Sequence, residues 1–235
     1  MLGMENASGK EWKREVDYKL LQSRGSMFEP MAIELSVDKV LRLLGYTDME
    51  RVRAAVRSAC EEVVAQVQDV VRPVVYFKHK DIRSCSDGVL EIEDGTLLHC
   101  KAFQRYMDGC DKVVALVLTL GQLIDDLEAE FSAKDQLLEM VILEMAGWLA
   151  IEEATKQFTI HLRDMERPRR YRLSRRMAPG YGYKIDGEKC TWPLEEQPKI
   201  FSFFESESLP VQLLENSCAM MPKMSRSGLF GLRPC

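Results

Sequence analysis

The sequence predicts one α+β domain, built on an antiparallel or mixed sheet flanked by long helices and preceded by a polar arm. Three observations lead there. Two segments, Asp48 to Val71 and Asp135 to Arg163, repeat apolar residues at spacings of three and four, the mark of helices with one buried face. One stretch, VVALVLTLG (Val113–Gly121), is apolar without alternation and rich in β-branched residues, which suits a strand covered on both faces. The other strand patterns are few and irregularly spaced, unlike the strand–helix alternation of a doubly wound sheet.

Taken in order, residues 1–25 are polar and aperiodic and read as an arm or a frayed first helix. The arm is drawn to residue 30, and the domain from 31 to 235. MAIELS (Met31–Ser36) alternates as a short strand does. Ser36 suits the N-cap of a helix over Val37–Leu44, and Gly45 its end. In the helix from Asp48, the residues Val52, Val56, Ala59, Val63, Val67 and Val70 mark the buried face, and Pro73 stops it. Val74–Ile82 and Val89–Gly95 read as two strands around a polar turn at Ser84–Gly88. KAFQRYMDGC suits a short helix, and Gly121 leads into a mixed-charge helix over Gln122–Phe131. Leu138, Val141, Ile142, Leu149 and Ile151 give the second long helix its core side, with Met140 and Met145 as packing residues and Pro168 at its end. The last third is rich in Pro, Gly and aromatics, with short extended pieces and one helix near Glu195–Phe204.

Composition narrows the function. At 46% hydrophobic and 29% charged residues the chain can bury a sizeable core. A net charge of −5 gives no surplus of Lys and Arg for phosphate contacts, so no nucleic-acid partner is expected. No apolar run reaches the ~18 residues that span a bilayer, and the polar N-terminus does not read as a secretory signal. Seven scattered cysteines without a Cys-x-x-Cys pair fit reduced thiols in a cytoplasm. His79, His99 and His161 do not cluster at metal spacing, so no metal site is expected.

The segment RRMAPGYGY (Arg175–Tyr183) stands apart. Arg176 can fork onto a carboxylate with two parallel hydrogen bonds. Pro179 keeps Ala178 extended, Gly180 and Gly182 let a ligand approach the backbone, and Tyr181 and Tyr183 offer flat faces with polar tips. Such a set suits a small ligand with a carboxylate, an amine and a ring. From the residues alone it equally suits a turn with surface arginines. The basic run Arg163, Arg167, Arg169, Arg170, Arg172, Arg175, Arg176 is in the same position: a solvated face, or a docking surface for an acidic redox partner.

Arg-x-Ala-Pro-Gly-Tyr at Arg176–Tyr181 resembles the S-adenosylmethionine signature of the activation domain of cobalamin-dependent methionine synthase, in its stand-alone form. Trp192-Pro193-Leu194-Glu195-Glu196-Gln197 with Ile200-Phe201 resembles the helix that follows that signature, although Tyr183 to Thr191 makes a longer linker than the family pattern. Leu213–Ser217, Met220-Met221-Pro222 and Ser225-Arg226-Ser227-Gly228 resemble the closing strand. More weakly, Leu118–Gly121 and Ala146-Gly147…Glu152 are similar as well.

The resemblance implies a methionine synthase activation domain-like fold that binds S-adenosylmethionine and supports reductive methylation of cobalamin. Cobalamin is expected only as carried by a partner, since the chain shows no corrin-ligating Asp-x-His-x-x-Gly. The implied partners are a cobalamin-binding methionine synthase, or another corrinoid protein, and a flavodoxin- or ferredoxin-like reductant. An interaction module that keeps the fold without the ligand is the alternative of another class. By position, Arg176 would hold the ligand carboxylate, the Ala178 backbone would contact the ligand, Gly180 would leave room, and Tyr181 would lie between sulfonium and corrin. No residue is assigned an acid or base role. Where the multidomain enzyme has an acidic contact six residues before the arginine this chain has Arg170, and Glu152 is taken for the amine.

Overall fold

The computed structural model describes residues 26–235, and the arm expected over 1–25 lies outside the described residues. The first strand, β1 (Ser26–Phe28), already pairs with the sheet, inside the stretch drawn as arm. Met31–Ser36 is extended but joins no strand. Two of its backbone N–H groups bond side-chain amides instead: Met31 donates to Gln157 and Leu35 to Gln68. An alternating pattern thus records one buried side, Ile33, and not a ladder.

Helix α1 (Val37–Leu43) starts as the sequence implies, with the Ser36 hydroxyl accepting from the Lys39 N–H and Gly45 in the left-handed region just past its end. The helix expected from Asp48 is divided. Asp48 caps one 3-10 turn (Met49–Arg51), and α2 (Ala54–Val70) begins after an extended Val52. The Asp48 carboxylate accepts from the Glu50 N–H, so the cap closes a short turn before the apolar face begins.

β2 (Val74–Ser86) is longer than expected and turns at Asp87-Gly88 into β3 (Val89–Ile92), which pairs with an unforeseen β4 (Leu97–His99). The four-residue α3 (Phe103–Tyr106) leads to β5 (Lys112–Thr119), α4 (Leu123–Ala133) and α5 (Leu137–Glu166). Then come β6 (Tyr171–Leu173), the hairpin of β7 (Gly182–Ile185) and β8 (Glu188–Thr191), α6 (Gln197–Ser202), a small pair β9 (Gln212–Leu213) and β10 (Met220–Met221), and β11 (Ser225–Pro234).

The main sheet runs β4-β3-β2-β5-β11-β6 with β1 added on β2, and every pairing is antiparallel. β5 explains its own composition. Val114, Leu116 and Leu118 face the core under α2, α4 and α5, while Val113, Ala115 and Val117 face a second core built around Phe103, Trp192, Ile200 and Phe203. Both faces are dry, so alternation is lost. α5, about 45 Å long at 1.5 Å per residue, buries Ile142, Ala146, Ala150, Ala154, Phe158 and Leu162 along one stripe. Among the described residues no helix is long and apolar enough to cross a membrane.

β11 has β5 on one side and, on the other, the chain from Tyr171 to Met177. This approach is close: a Cβ on Gly228 would lie 2.5 Å from the Met177 carbonyl oxygen. Gly228→Ala is therefore expected to destabilise the fold by ~1–3 kcal/mol, the usual range for forced overpacking. Gly182→Ala, where a Cβ meets nothing within 4 Å, is the control. Denaturant titration of both variants decides; a Gly228→Ala midpoint equal to the control's contradicts the packing.

Candidate functional site

The signature segment lies along β11. The Met177 N–H donates to the Leu229 carbonyl (2.8 Å) and the Leu229 N–H returns to Met177 (2.7 Å), which fixes the loop against the sheet. Gly180 then turns the chain with φ +80°, a conformation that favours glycine. The Gly180 N–H donates to the Trp192 carbonyl and the Trp192 N–H donates to Tyr181. The longer linker is thus the β7–β8 hairpin, turned at Asp186-Gly187, both at positive φ. It leaves Trp192 beside Gly180, so the extra residues do not separate the two motif pieces.

A cavity of about 260 Å³ forms where three stretches meet: Ala178–Tyr181, Leu194 with Gln197, and Ala219–Met220 with Ser225–Ser227. Tyr181 is 48% exposed at its rim. The Arg176 guanidinium lies 5.2 Å from the Tyr181 ring centre, a cation–π distance, and donates to the Ser227 carbonyl at 2.8 Å. Burial, and then the nearby Arg226 charge, hold the Arg176 guanidinium below its usual pKa. Among the described residues no carboxylate pairs with Arg176.

Ala178 is buried, and both of its backbone groups are engaged within the protein. Its N–H donates to the Tyr183 hydroxyl (2.7 Å), which in turn donates to the Ala178 carbonyl (3.1 Å). Tyr183 itself is buried against Tyr106, and burial pushes its phenol pKa up. Tyr183 therefore fixes the loop from beneath while Tyr181 faces out.

Glu152 lies on α5 and lines a separate groove with Leu35, Ser36, Lys39 and Lys156. Its carboxylate accepts from Arg226 at 2.6 Å, and Arg226 also donates to the Thr155 hydroxyl at 3.0 Å. Arg226, 6% exposed, is a cavity residue to which the sequence alone gives no role. Gln197 is another: it accepts from the Ser227 hydroxyl and donates to the Cys218 carbonyl, joining α6 to β11. The signals for Arg226 were its place in Ser225-Arg226-Ser227-Gly228, where the resemblance gave it no role, and inside an otherwise small and apolar strand, Ser225–Leu232.

The basic run does not act as one patch. Arg167 pairs with Asp164 (3.2 Å), and Arg169 with Glu166 (2.9 Å), which also meets the buried His79. Arg175 lies over Tyr106, while Arg163, Arg170 and Arg172 are exposed. Among the described residues no group of three or more His, Cys, Asp or Glu is placed to hold a metal. A larger cleft of about 800 Å³, between the Asp87-Gly88 turn and the β7–β8 hairpin, contains none of the expected site residues.

No protein-family model and no curated protein sequence matches the chain. Among solved structures, a crystal structure of the MetH reactivation domain bound to AdoHcy matches with a TM-score of 0.57 at 16% identity, covering 90% of this chain and 79% of that one. At that identity the likeness speaks for the architecture, and the chain has the fold of the MetH reactivation domain.

Proposed function

We propose that this chain is an activation module that binds S-adenosylmethionine and supports reductive methylation of cobalamin carried by a separate methionine synthase. The observation that carries the reading is the convergence on one cavity of three pieces far apart in sequence, Ala178–Tyr181, Leu194 with Gln197, and Ser225–Ser227. The matching fold belongs to a domain solved with AdoHcy, the demethylated form of the proposed ligand. At about 260 Å³ the cavity lies just under the usual small-molecule range of ~300–1,000 Å³. A ligand of adenosine size would extend past it, leaving its reactive end open to a partner.

In this reading Arg176 draws the ligand carboxylate inward, and Gly180 lets the ligand approach the backbone. Ala178 presents its methyl and the fixed outline of the loop, because Tyr183 holds its N–H and carbonyl. The exposed Tyr181 ring packs beside the methyl donor, facing the partner's corrin. Catalytic power then comes from proximity and orientation, without an acid or base from this chain. Electrons come from a flavodoxin- or ferredoxin-like protein, for which the exposed Arg163, Arg170 and Arg172 offer an encounter surface. The residues named in this reading all fall within the domain drawn over 31–235.

Arg176→Ala is expected to weaken S-adenosylmethionine binding by ~1.5–3 kcal/mol, the range for a hydrogen bond to a charged group. Arg175→Ala, whose side chain lies over Tyr106, should change it far less. Calorimetry showing parent-like affinity for Arg176→Ala would falsify the carboxylate role, and a parent without affinity for the ligand would leave the interaction-module reading in its place.

Tyr181→Ala is expected to cost about 1 kcal/mol in ligand binding through lost aromatic contact. Remethylation of the partner's cobalamin, followed by absorbance with ligand saturating, should fall further than binding does, since a lost orientation shows in the saturated rate. A parent rate at saturation would remove Tyr181 from the corrin face.

A further inference from the structure

Of the residues that line the cavity one is charged, Arg226, and none is a carboxylate. That imbalance is not a surface accident. Arg226 is 6% exposed, and a guanidinium at such depth is retained only where its surroundings hold it. The Glu152 carboxylate takes one Nη2 hydrogen at 2.6 Å and the Thr155 hydroxyl one Nη1 hydrogen at 3.0 Å, both from α5. A guanidinium has five N–H donors, so donors remain after these two bonds.

A second guanidinium, half-buried, stands near. Arg176 has its pKa lowered first by burial and then by the charge of Arg226. Its Nη1 is spent on a neutral acceptor, the Ser227 carbonyl. Arg226 in the lining and Arg176 behind it are thus neighbouring cations, and among the described residues the carboxylate paired with them is that of Glu152, on Arg226; the Glu152 side chain is 46% exposed. Two positive charges beside one half-exposed carboxylate favour an anion, and a planar fork favours a carboxylate.

We propose that Arg226 is a direct carboxylate-binding residue of the site, with Glu152 and Thr155 as the positioning residues that hold its fork, so that the ligand's amino-acid end lies on β11 between Arg226 and Arg176. The proposal rests on the adenosylmethionine reading above. It moves Glu152 from the ligand's amine to the back of Arg226, and it makes the ligand class one that must carry a carboxylate.

The test uses two probes that differ in this one group, S-adenosylhomocysteine and its decarboxylated analogue S-adenosyl-3-thiopropylamine, titrated calorimetrically into the full chain. The parent should prefer S-adenosylhomocysteine. Arg226→Met should bind it at least tenfold more weakly, as the loss of a charge-assisted bond requires, while its affinity for the decarboxylated analogue stays within twofold of the parent's. Equal losses for both probes would mean that Arg226 only supports the fold, and no loss for either would mean that it does not meet the ligand; each overturns the proposal. If circular dichroism shows Arg226→Met unfolded, Arg226→Lys takes its place. It keeps the buried charge beside Glu152 and loses the fork, so a several-fold loss confined to S-adenosylhomocysteine is expected, and unchanged affinity refutes the assignment. A parent that binds neither probe overturns the adenosylmethionine reading itself, which separates that failure from this one.

Discussion

The reciprocal hydrogen bonds between Met177 and Leu229 set the reference frame for the cavity. They hold an irregular loop in line with a strand that is itself fixed by a full ladder to β5. The spacing they impose leaves no room for a side chain at Gly228, where a Cβ would also come within 3.1 Å of the Arg176 guanidinium. Backbone pairing, a glycine and an arginine are thus one unit. The loop cannot shift along β11 without breaking both bonds, so Arg176, Ala178 and Tyr181 keep their positions relative to Arg226 and Ser227.

A second tie comes from Tyr183. Its hydroxyl both accepts from and donates to the backbone of Ala178, which removes two polar groups from reach of a bound molecule. What the loop still presents is shape, the aromatic face of Tyr181, and charge. Charge is supplied by side chains anchored on different elements, Arg176 at the loop and Arg226 held from α5. A site divided in this way depends on the packing of α5 against β11, where Phe158 meets Phe230 at 6.3 Å.

Much of the architecture was legible because single residues decide it. Val113–Val117 announces a doubly covered strand, Ser36 and Gly45 bracket α1, and Pro168 marks the end of α5. The misreadings have local causes. Met31–Ser36 alternates yet pairs with no strand, and Gln157 and Gln68 accept from two of its backbone N–H groups at long range. Asp48 reads as a helix start but closes a separate turn. β4 is three residues long and carries too little pattern to be seen. In the site, the Arg176–Tyr181 segment was visible through its proline and glycine. The buried state of Arg226 was not, since burial of an arginine depends on Glu152 and Thr155, more than seventy residues earlier. The hairpin that returns Trp192 to Gly180 was likewise hidden in a stretch that reads only as a longer linker.

The placement of β11 has a consequence for how the molecule comes to be made. The strand latest in sequence order lies inside the sheet, between β5 and β6. As the chain emerges from a ribosome, β5 presents one open apolar edge until Ser225–Leu232 has followed it out. Contacts between residues so distant in sequence form slowly, because the intervening loop must be closed first. An unpaired, continuously apolar strand is also the kind of surface that draws aggregation or a chaperone. The cavity against β11 is therefore expected to be among the last parts of the domain to take shape.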